Sequence, residues 1–520
     1  MRLDSTEAVQ SVGATEPTIE TAPELSLEFD IDPPAAAQRV FRHAAIGETR
    51  QAKTRSGNDE VIWLDDVAGS LAAAGLVLQR PQRGASRLWR IAPDGRGPWV
   101  PGTPPAPLDA EAGEGDSAGR LAGPPMPVAA FSFRRSALSL AGPAGAVRAE
   151  LLVGMLRAVA AERPAARLRL AGAEDAVLAL AARLIADLPL LPPRAALAEH
   201  GRALAQGGGG SGAVRMRHRG APDLAGAASV EEALLRAVGH LLDVMLQHAP
   251  LCRLDGGPEG VHQLRVGLRR LRSVLKAFKG VARGEALEGF DVGLKALAKR
   301  LGPARDWDVF LGGLAADTAE ALGDDRRLSA LRRAAEAKRD AAYHALRREL
   351  EGAAFRRLAF DGVSLLLRRP WRSEADAADV EALDAPPAAF AGSILDKRWR
   401  KLRDRGEGIA GHSPEALHAV RLEAKRLRYA AELFAPLWGG KAARRFLKRL
   451  AALQEALGTV NDAAVVGALL AELDGAAPAW AAGAVEGFAA ARARPARGKA
   501  LSRWKDVVRT KAFWDETPAG

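Results

Sequence analysis

Residues 261–280 read VHQLRVGLRRLRSVLKAFKG, and the architecture of the chain depends on how this stretch folds. Wound as a helix of about 3.6 residues per turn, it places His262, Arg265, Arg269, Arg272, Lys276 and Lys279 on one stripe roughly 100° wide. Leu264, Leu268, Leu271, Leu275 and Phe278 form a second stripe beside it, which must face a core. The stretch holds no acidic residue. Such a helix is either a solvated surface helix whose arginine stems cover apolar area, or one wall of an anion site.

The pattern occurs twice. Residues 417–438 read LHAVRLEAKRLRYAAELFAPLW, and a displacement of 156 residues carries His262 onto His418, Arg265 onto Arg421, Arg269 onto Lys425, Arg270 onto Arg426, Arg272 onto Arg428 and Phe278 onto Phe434. The same displacement carries Leu297, Leu301, Gly302 and Asp306 onto Leu453, Leu457, Gly458 and Asp462. An offset held without slippage over this distance is an internal repeat. Duplication can copy a structural helix, but an acid-free stripe gains nothing from being kept twice unless an anion meets it. Lys276 falls on Glu432, so the second stripe is shorter.

A chain of 520 residues has room for several domains. Its net charge of +11 is unevenly placed: residues 201–520 carry 53 Lys and Arg against 39 Asp and Glu, and residues 1–200 carry 21 against 24. The positive field therefore belongs to the half with the repeat. The single cysteine, Cys252, excludes an internal disulfide and a cysteine metal cluster, and fits a reducing compartment. The polar N-terminus does not resemble a secretory signal, and no run approaches the ~20 apolar residues of a membrane span. A cytoplasmic location is expected, with no membrane partner.

Along the chain, residues 1–21 read as disordered. LSLEFDI, VIWLDD, LVLQR, SRLWRIAP, FSFRRSALSL, AVRAELLVGML and AARLRLAG read as strands, AAAQRVFRHAAI as a short helix and GAEDAVLALAARLIADL as a longer one. Residues 97–127 read as a Pro/Gly-rich loop, so residues 22–205 form an α+β domain with short antiparallel strands. GGGGSG at 207–212 lies in a flexible linker, 206–228. From Ser229, which with Glu232 makes a capping-box pattern, the signals are helical to residue 514. A first half, 229–372, and a second, 389–514, flank a Pro/Ala/Asp segment. One helix is expected to stop near Leu301, and AARRFLKRLAALQEALG and VVGALLAELDG read as separate helices. Two helical bundles packed together are the expected outcome.

Guanidinium and ammonium groups spaced along a helix repel one another unless an anion sits among them, and the arginine fork suits phosphate oxygens. A linear polyanion could run along such a stripe. Arg339, Arg398 and Lys401 on neighbouring helices are secondary basic candidates. His262 and His418 read as phosphate donors or core-bonded histidines rather than as catalytic acids or bases. Asp306 and Asp308, in RDWDVF, read as a helix cap or as ion-pair partners of the basic helix rather than as metal ligands. No nucleophile–base set and no metal cluster is evident, and no cofactor is expected.

HQLRVGLRRLRSVLKAF and HAVRLEAKRLRYAAELF resemble the paired histidine helices of the CHAD domain, the conserved histidine α-helical domain, and LGPARDWDVF and LGTVNDAAVV resemble its second signature. The resemblance covers residues 229–514. It implies two four-helix-type bundles related by pseudo-twofold symmetry around a basic cavity that binds inorganic polyphosphate without catalysis. Carried over by motif, the binding residues are His262, Arg265, Arg269, Arg272, Lys276, His418, Arg421, Lys425 and Arg428.

Residues 22–205 resemble a degenerate CYTH domain, the barrel-forming triphosphate tunnel metalloenzyme that often precedes CHAD in bacteria. ELSLEFDIDP stands where that family has E-x-E-x-K before a proline: Glu24 is kept, Ser26 replaces the second Glu and Glu28 replaces the Lys. Arg167 and Arg169 occupy a strand that in the family supplies metal carboxylates, so two-metal chemistry is expected to be lost. The alternatives are a metal-dependent triphosphatase working through Glu24, Glu28 and Glu150, and generic nucleic-acid or anion binding. Only two tyrosines are present, and no aromatic-interleaved base-reading motif favours nucleic acid.

Overall fold

The computed structural model describes residues 24–91, 100–108, 119–207, 220–323 and 325–518, apart from the side chains of residues 461–464. Residues 1–21, expected to be disordered, and all of GGGGSG but Gly207 lie outside the described residues.

In the N-terminal part, residues alternating between apolar and charged make strands with two unlike faces. In β1 (Glu24–Ile31), Leu27, Phe29 and Ile31 are buried on one side, with Glu28 and Asp30 on the other. The other strands are β2 (Arg55–Asp65), β3 (Leu76–Pro81), β4 (Arg87–Arg90), β5 (Ala106–Pro107), β6 (Met126–Gly142), β7 (Gly145–Ala158), β8 (Ala161–Ala173) and β9 (Leu190–Leu191). They form one antiparallel sheet in the order β5-β4-β3-β2-β6-β7-β8-β1-β9. The ladder is open among the described residues, a half-barrel that fits the degenerate CYTH-like barrel expected from the sequence. Its terminal strands are two residues long, and Pro107 in one and Pro189 and Pro192 beside the other have no N–H to extend the ladder.

The apolar face of the sheet is covered by α1 (Glu174–Asp187), which buries Val177, Leu178, Ala181, Leu184 and Ile185 against it. Part of the opposite face is covered by α2 (Leu197–Ala205), whose Ala198 and Leu204 share a core with Trp63, Phe131 and Leu156. The short helix expected over residues 35–46 is two four-residue turns, Ala37–Val40 and Ala44–Gly47. The expected loop at 97–127 contributes β5 and the start of β6.

The remainder is helical: α3 (Val230–His248), α4 (Glu259–Phe278), α5 (Glu285–Gly312), α6 (Leu314–Leu322), α7 (Arg326–Glu351), α8 (Ala353–Arg368), α9 (Pro387–Gly406), α10 (Pro414–Phe434), α11 (Gly440–Ala471) and α12 (Ala479–Val508). The 156-residue displacement carries α3, α4, α5 and α7 onto α9, α10, α11 and α12, with every start matching to within three residues. Within each half, these helices pack in sequence order. The halves meet where the repeat-related Phe278 and Phe434 lie 6.0 Å apart. They also interlock at a second core, where Trp307, Phe310 and Leu331 meet Val466, Leu470 and Val485.

Several local signals resolve differently from their sequence reading. α5 does not stop near Leu301. Pro303 removes one backbone donor, but Leu301, Ala304 and Trp307 are buried and hold the helix straight through to Gly312. α11 is continuous, uniting the two segments read separately. The separator between the halves contains a helix, Ala377–Asp384. The capping box is half formed: Ser229 Oγ accepts from the Glu232 N–H at 3.1 Å, while the Glu232 carboxylate accepts from the Ala228 N–H at 2.8 Å.

Sheet and helices share one continuous core. It runs from Leu27, Phe29 and Leu168 through α1 to Leu242 and Phe360. Phe29 and Phe360 lie 6.2 Å apart, and Arg368 donates to Asp175 at 2.8 Å.

Candidate anion-binding site

α4 buries Val261, Leu264, Leu268, Leu271, Val274 and Phe278. The burial of this stripe turns the basic stripe outward, with His262, Arg265, Arg269 and Arg272 half-buried and Lys276 exposed. α10 does the same with Leu417, Val420, Ala424, Leu427 and Phe434, leaving His418 exposed and Arg421, Lys425 and Arg428 half-buried.

Each basic helix lies against the long helix that follows it, and the repeat extends to the contacts. A Cβ on Gly302 would stand 3.7 Å from Arg265 Nη1 and 4.0 Å from Asp306 Oδ2, and one on Gly458 would stand 3.9 Å from Arg421 Nε. The two glycines, themselves 156 residues apart, leave a shelf for the two repeat-related guanidinium groups. Asp306 is within electrostatic reach of Arg265 and Arg305. The side chain of Asp462, its repeat counterpart, lies outside the described residues.

Arg305 is a site residue the sequence reading missed. It lies within electrostatic reach of His262, and burial together with Arg305 and then Arg269 holds the imidazole pKa below its ordinary value, against the pull of Glu259. The available signal was its place three residues after Gly302, hence on the same face of α5. Arg269 lies over the Tyr429 ring at 5.6 Å, and its Nε is buried without a hydrogen-bond partner. Burial, then Arg265, Arg270 and Arg428, push its pKa down, with Tyr429 opposing. Neither Arg265 nor Arg269 makes an ion pair among the described residues.

The two basic helices cross in their C-terminal halves. Arg270 on α4 meets Glu432 on α10 at 3.0 Å. His262 precedes Val274, near the crossing, by twelve residues, or about 18 Å of helix. His262 and His418 therefore lie out on separate arms. Two of the nominated residues already hold carboxylates: Arg272 pairs with Asp291 at 2.7 Å, and Arg428 pairs with Glu432 at 2.7 Å and donates to Gln454 at 3.0 Å. Lys276 lies within electrostatic reach of Arg272, Arg426 and Arg398, and burial together with these cations lowers its pKa while Asp291 raises it. Lys401 is exposed on α9.

Arg339 is held elsewhere. Its Nε donates to the buried Asp308 at 2.7 Å, and the Tyr343 hydroxyl donates to the same carboxylate at 2.8 Å. Asp308 thus ties α5 to α7 and is neither a helix cap nor a partner of the basic helices. Burial, with some help from Asp308, pushes the Cys252 thiol up to about 12, so it stays protonated.

The charged face of the sheet answers the question of metal ligands. Arg167, fully buried, donates to Glu28 Oε2 at 3.1 Å and to Asp30 Oδ1 at 3.0 Å, and Arg169 Nε donates to Glu28 Oε1 at 3.1 Å. Glu150 accepts from Arg135 at 2.6 Å and from Arg148 Nε at 3.1 Å. Glu28 and Glu150 flank Arg169 in the register of β1, β8 and β7. A divalent ion needs converging oxygens. Here each carboxylate is spanned by guanidinium groups, and no group of three His, Cys, Asp or Glu that could hold a metal occurs among the described residues. The residues do not fit the metal pair that a CYTH domain uses, although the antiparallel sheet fits a CYTH-like domain. No helix among the described residues is long and apolar enough to cross a membrane.

Comparison with known proteins places the helical part. No curated protein matches the chain. Among solved structures, a CHAD domain from the plant Ricinus communis is 29% identical with a TM-score of 0.44, covering 58% of this chain and 98% of its own. PptA from Streptomyces chartreusis is 18% identical with a TM-score of 0.39, covering 54% and 100%. HpAC1 from Hippeastrum, described as a candidate adenylyl cyclase with a dominant triphosphatase activity, is 12% identical with a TM-score of 0.24, covering 36% and 96%. The family model for the CHAD domain matches residues 236–471, which include both basic helices and both glycine shelves. Residues 236–471 of this chain are a CHAD domain.

Proposed function

We propose that this protein binds inorganic polyphosphate through two repeat-related arms, His262, Arg265, Arg269 and Arg305 in the first and His418, Arg421 and Lys425 in the second, and does not cleave it. A CHAD domain supports a polyphosphate-related role. The observation that carries the finer reading is Arg265 and Arg269: two guanidinium groups on one face, with no carboxylate at ion-pair distance among the described residues, one of them with a buried unpartnered Nε. A phosphate chain would supply the missing acceptors at several points. The non-catalytic reading rests on Glu28 and Glu150, whose oxygens are held by arginines. Association with polyphosphate granules follows as part of the same proposal.

The test is equilibrium binding of long-chain polyphosphate to the full chain and to Arg265→Ala/Arg421→Ala. The double variant is expected to bind at least tenfold more weakly, at about 1.4 kcal/mol per factor of ten, and wild-type affinity is expected to fall steeply with salt. Equal affinity of the two proteins would place the site elsewhere. Metal-dependent release of phosphate from tripolyphosphate, lost in Glu24→Gln, would contradict the non-catalytic reading.

A further inference from the structure

The repeat maps one end of the helix crossing onto the other, and the two ends are not alike. At the first end, Arg270 and Arg428 grip the two oxygens of Glu432, Arg270 Nη2 at 3.0 Å from Oε2 and Arg428 Nε at 2.7 Å from Oε1. The 156-residue displacement carries Arg270 onto Arg426, and it carries Lys276 onto Glu432. At the second end the repeat therefore sets Arg426 opposite Lys276, a cation where the first end has the carboxylate, and the two lie within electrostatic reach. Arg272, the repeat counterpart of Arg428, and Arg398 on α9 also lie within electrostatic reach of Lys276, whereas the repeat counterpart of Arg398 is the fully buried Leu242 on α3. Arg272 and Arg426 at this end have carboxylates of their own, Asp291 and Glu423. Lys276 and Arg398 have none within salt-bridge distance among the described residues.

A carboxylate bridging two guanidinium groups marks where an anion sits at such a crossing. We infer that Lys276, Arg398 and Arg426 form a phosphate subsite at the α4 end of the crossing, and that Glu432 closes the equivalent subsite at the α10 end by standing where a phosphate would. The inference rests on the polyphosphate reading and makes that site directional. A bound chain continues over the Lys276 end, where Lys276 and Arg398 hold no carboxylate, and is turned away at the Glu432 end, where a second anion would meet the Glu432 carboxylate. Arg398 comes from outside the two histidine helices, so the subsite needs α9 as well.

The experiment measures binding of long-chain sodium polyphosphate to the full chain, with its salt dependence, for wild type, Lys276→Ala/Arg398→Ala, Glu432→Lys and Glu432→Gln, with thermal melts for all four. The Lys276→Ala/Arg398→Ala protein is expected to bind at least about tenfold more weakly, with a shallower dependence of log affinity on log salt because fewer phosphates are neutralised. Glu432→Lys is expected to bind more tightly with a steeper slope. Glu432→Gln, which keeps the side-chain volume, is expected to move the same way by a smaller factor and carries the test if Glu432→Lys does not fold. If Lys276→Ala/Arg398→Ala and Glu432→Gln both bind like wild type while Arg265→Ala/Arg421→Ala does not, the subsite is wrong and the polyphosphate reading stands. If wild type fails to bind polyphosphate, both fall together.

Discussion

His262 shows what a single site residue contributes. Its imidazole is half-buried and within electrostatic reach of Arg305, so its pKa in the folded protein lies below the ordinary value of about 6.5. As pH falls through about 6.5, the unfolded chain takes up this proton before the folded one does, and stability declines until the folded imidazole is protonated too. An anion bound beside it reverses the sign by favouring imidazolium. Polyphosphate affinity is therefore expected to rise as pH is lowered from about 8 to 6, with proton uptake on binding. Internal phosphates of a long chain stay ionised over that range, so the effect belongs to the protein. Isothermal titration in two buffers of different ionisation enthalpy measures the uptake. His262→Gln is expected to reduce it and to flatten the pH dependence of both affinity and unfolding. A variant that takes up protons as wild type does would remove His262 from the site.

At the scale of helices, what could be read from the sequence was periodicity, and what could not was pairing across elements. α4 and α10 announce themselves because apolar and basic residues each recur at helical spacing, with no acid between residues 261 and 280. The repeat then gives α5 and α11 their shared glycines, though not what lies over them, a guanidinium at each, at a distance where a methyl group would still make ordinary contact. Gly302-Pro303 looks locally like a stop, and only burial of Leu301 and Trp307 overrides it. Arg339 reads as a free cation because its partner, Asp308, is 31 residues away on another helix. The same holds for Glu432, whose grip on Arg270 requires knowing how the two halves cross. The Asp308 cluster is expected to matter for folding alone. Asp308→Ala would leave Arg339 and the Tyr343 hydroxyl without their buried acceptor, at a cost of about 3–5 kcal/mol. Denaturant unfolding should report that loss, and polyphosphate titration should give wild-type affinity in the folded protein. A weakened affinity at full folding would show that Arg339 serves the site after all.

Across the whole molecule, the sheet and the helices were readable separately and their union was not. Nothing periodic in LSLEFDI announces that Phe29 will meet a ring on a helix more than three hundred residues later. Yet one buried cluster runs from β1 and β8 through α1 to α3 and α8, and Phe360, which is 4% exposed, stands where the helices meet the sheet, 6.2 Å from Phe29. Such a seam has an energetic consequence. Truncating Phe360 should cost about 3–5 kcal/mol, as for other buried phenylalanines, and the loss should be felt on both sides, because the cavity borders the sheet and the helical bundle alike. Calorimetry of the full chain is therefore expected to give one transition that moves down as a whole in Phe360→Ala, and a fragment starting at residue 226 is expected to melt below the intact protein because it exposes the same face. Two well-separated transitions, with only the upper or only the lower displaced by Phe360→Ala, would mean that the sheet and the CHAD domain are joined without being coupled. The degenerate sheet would then be a passenger on the helices and not part of what keeps them folded.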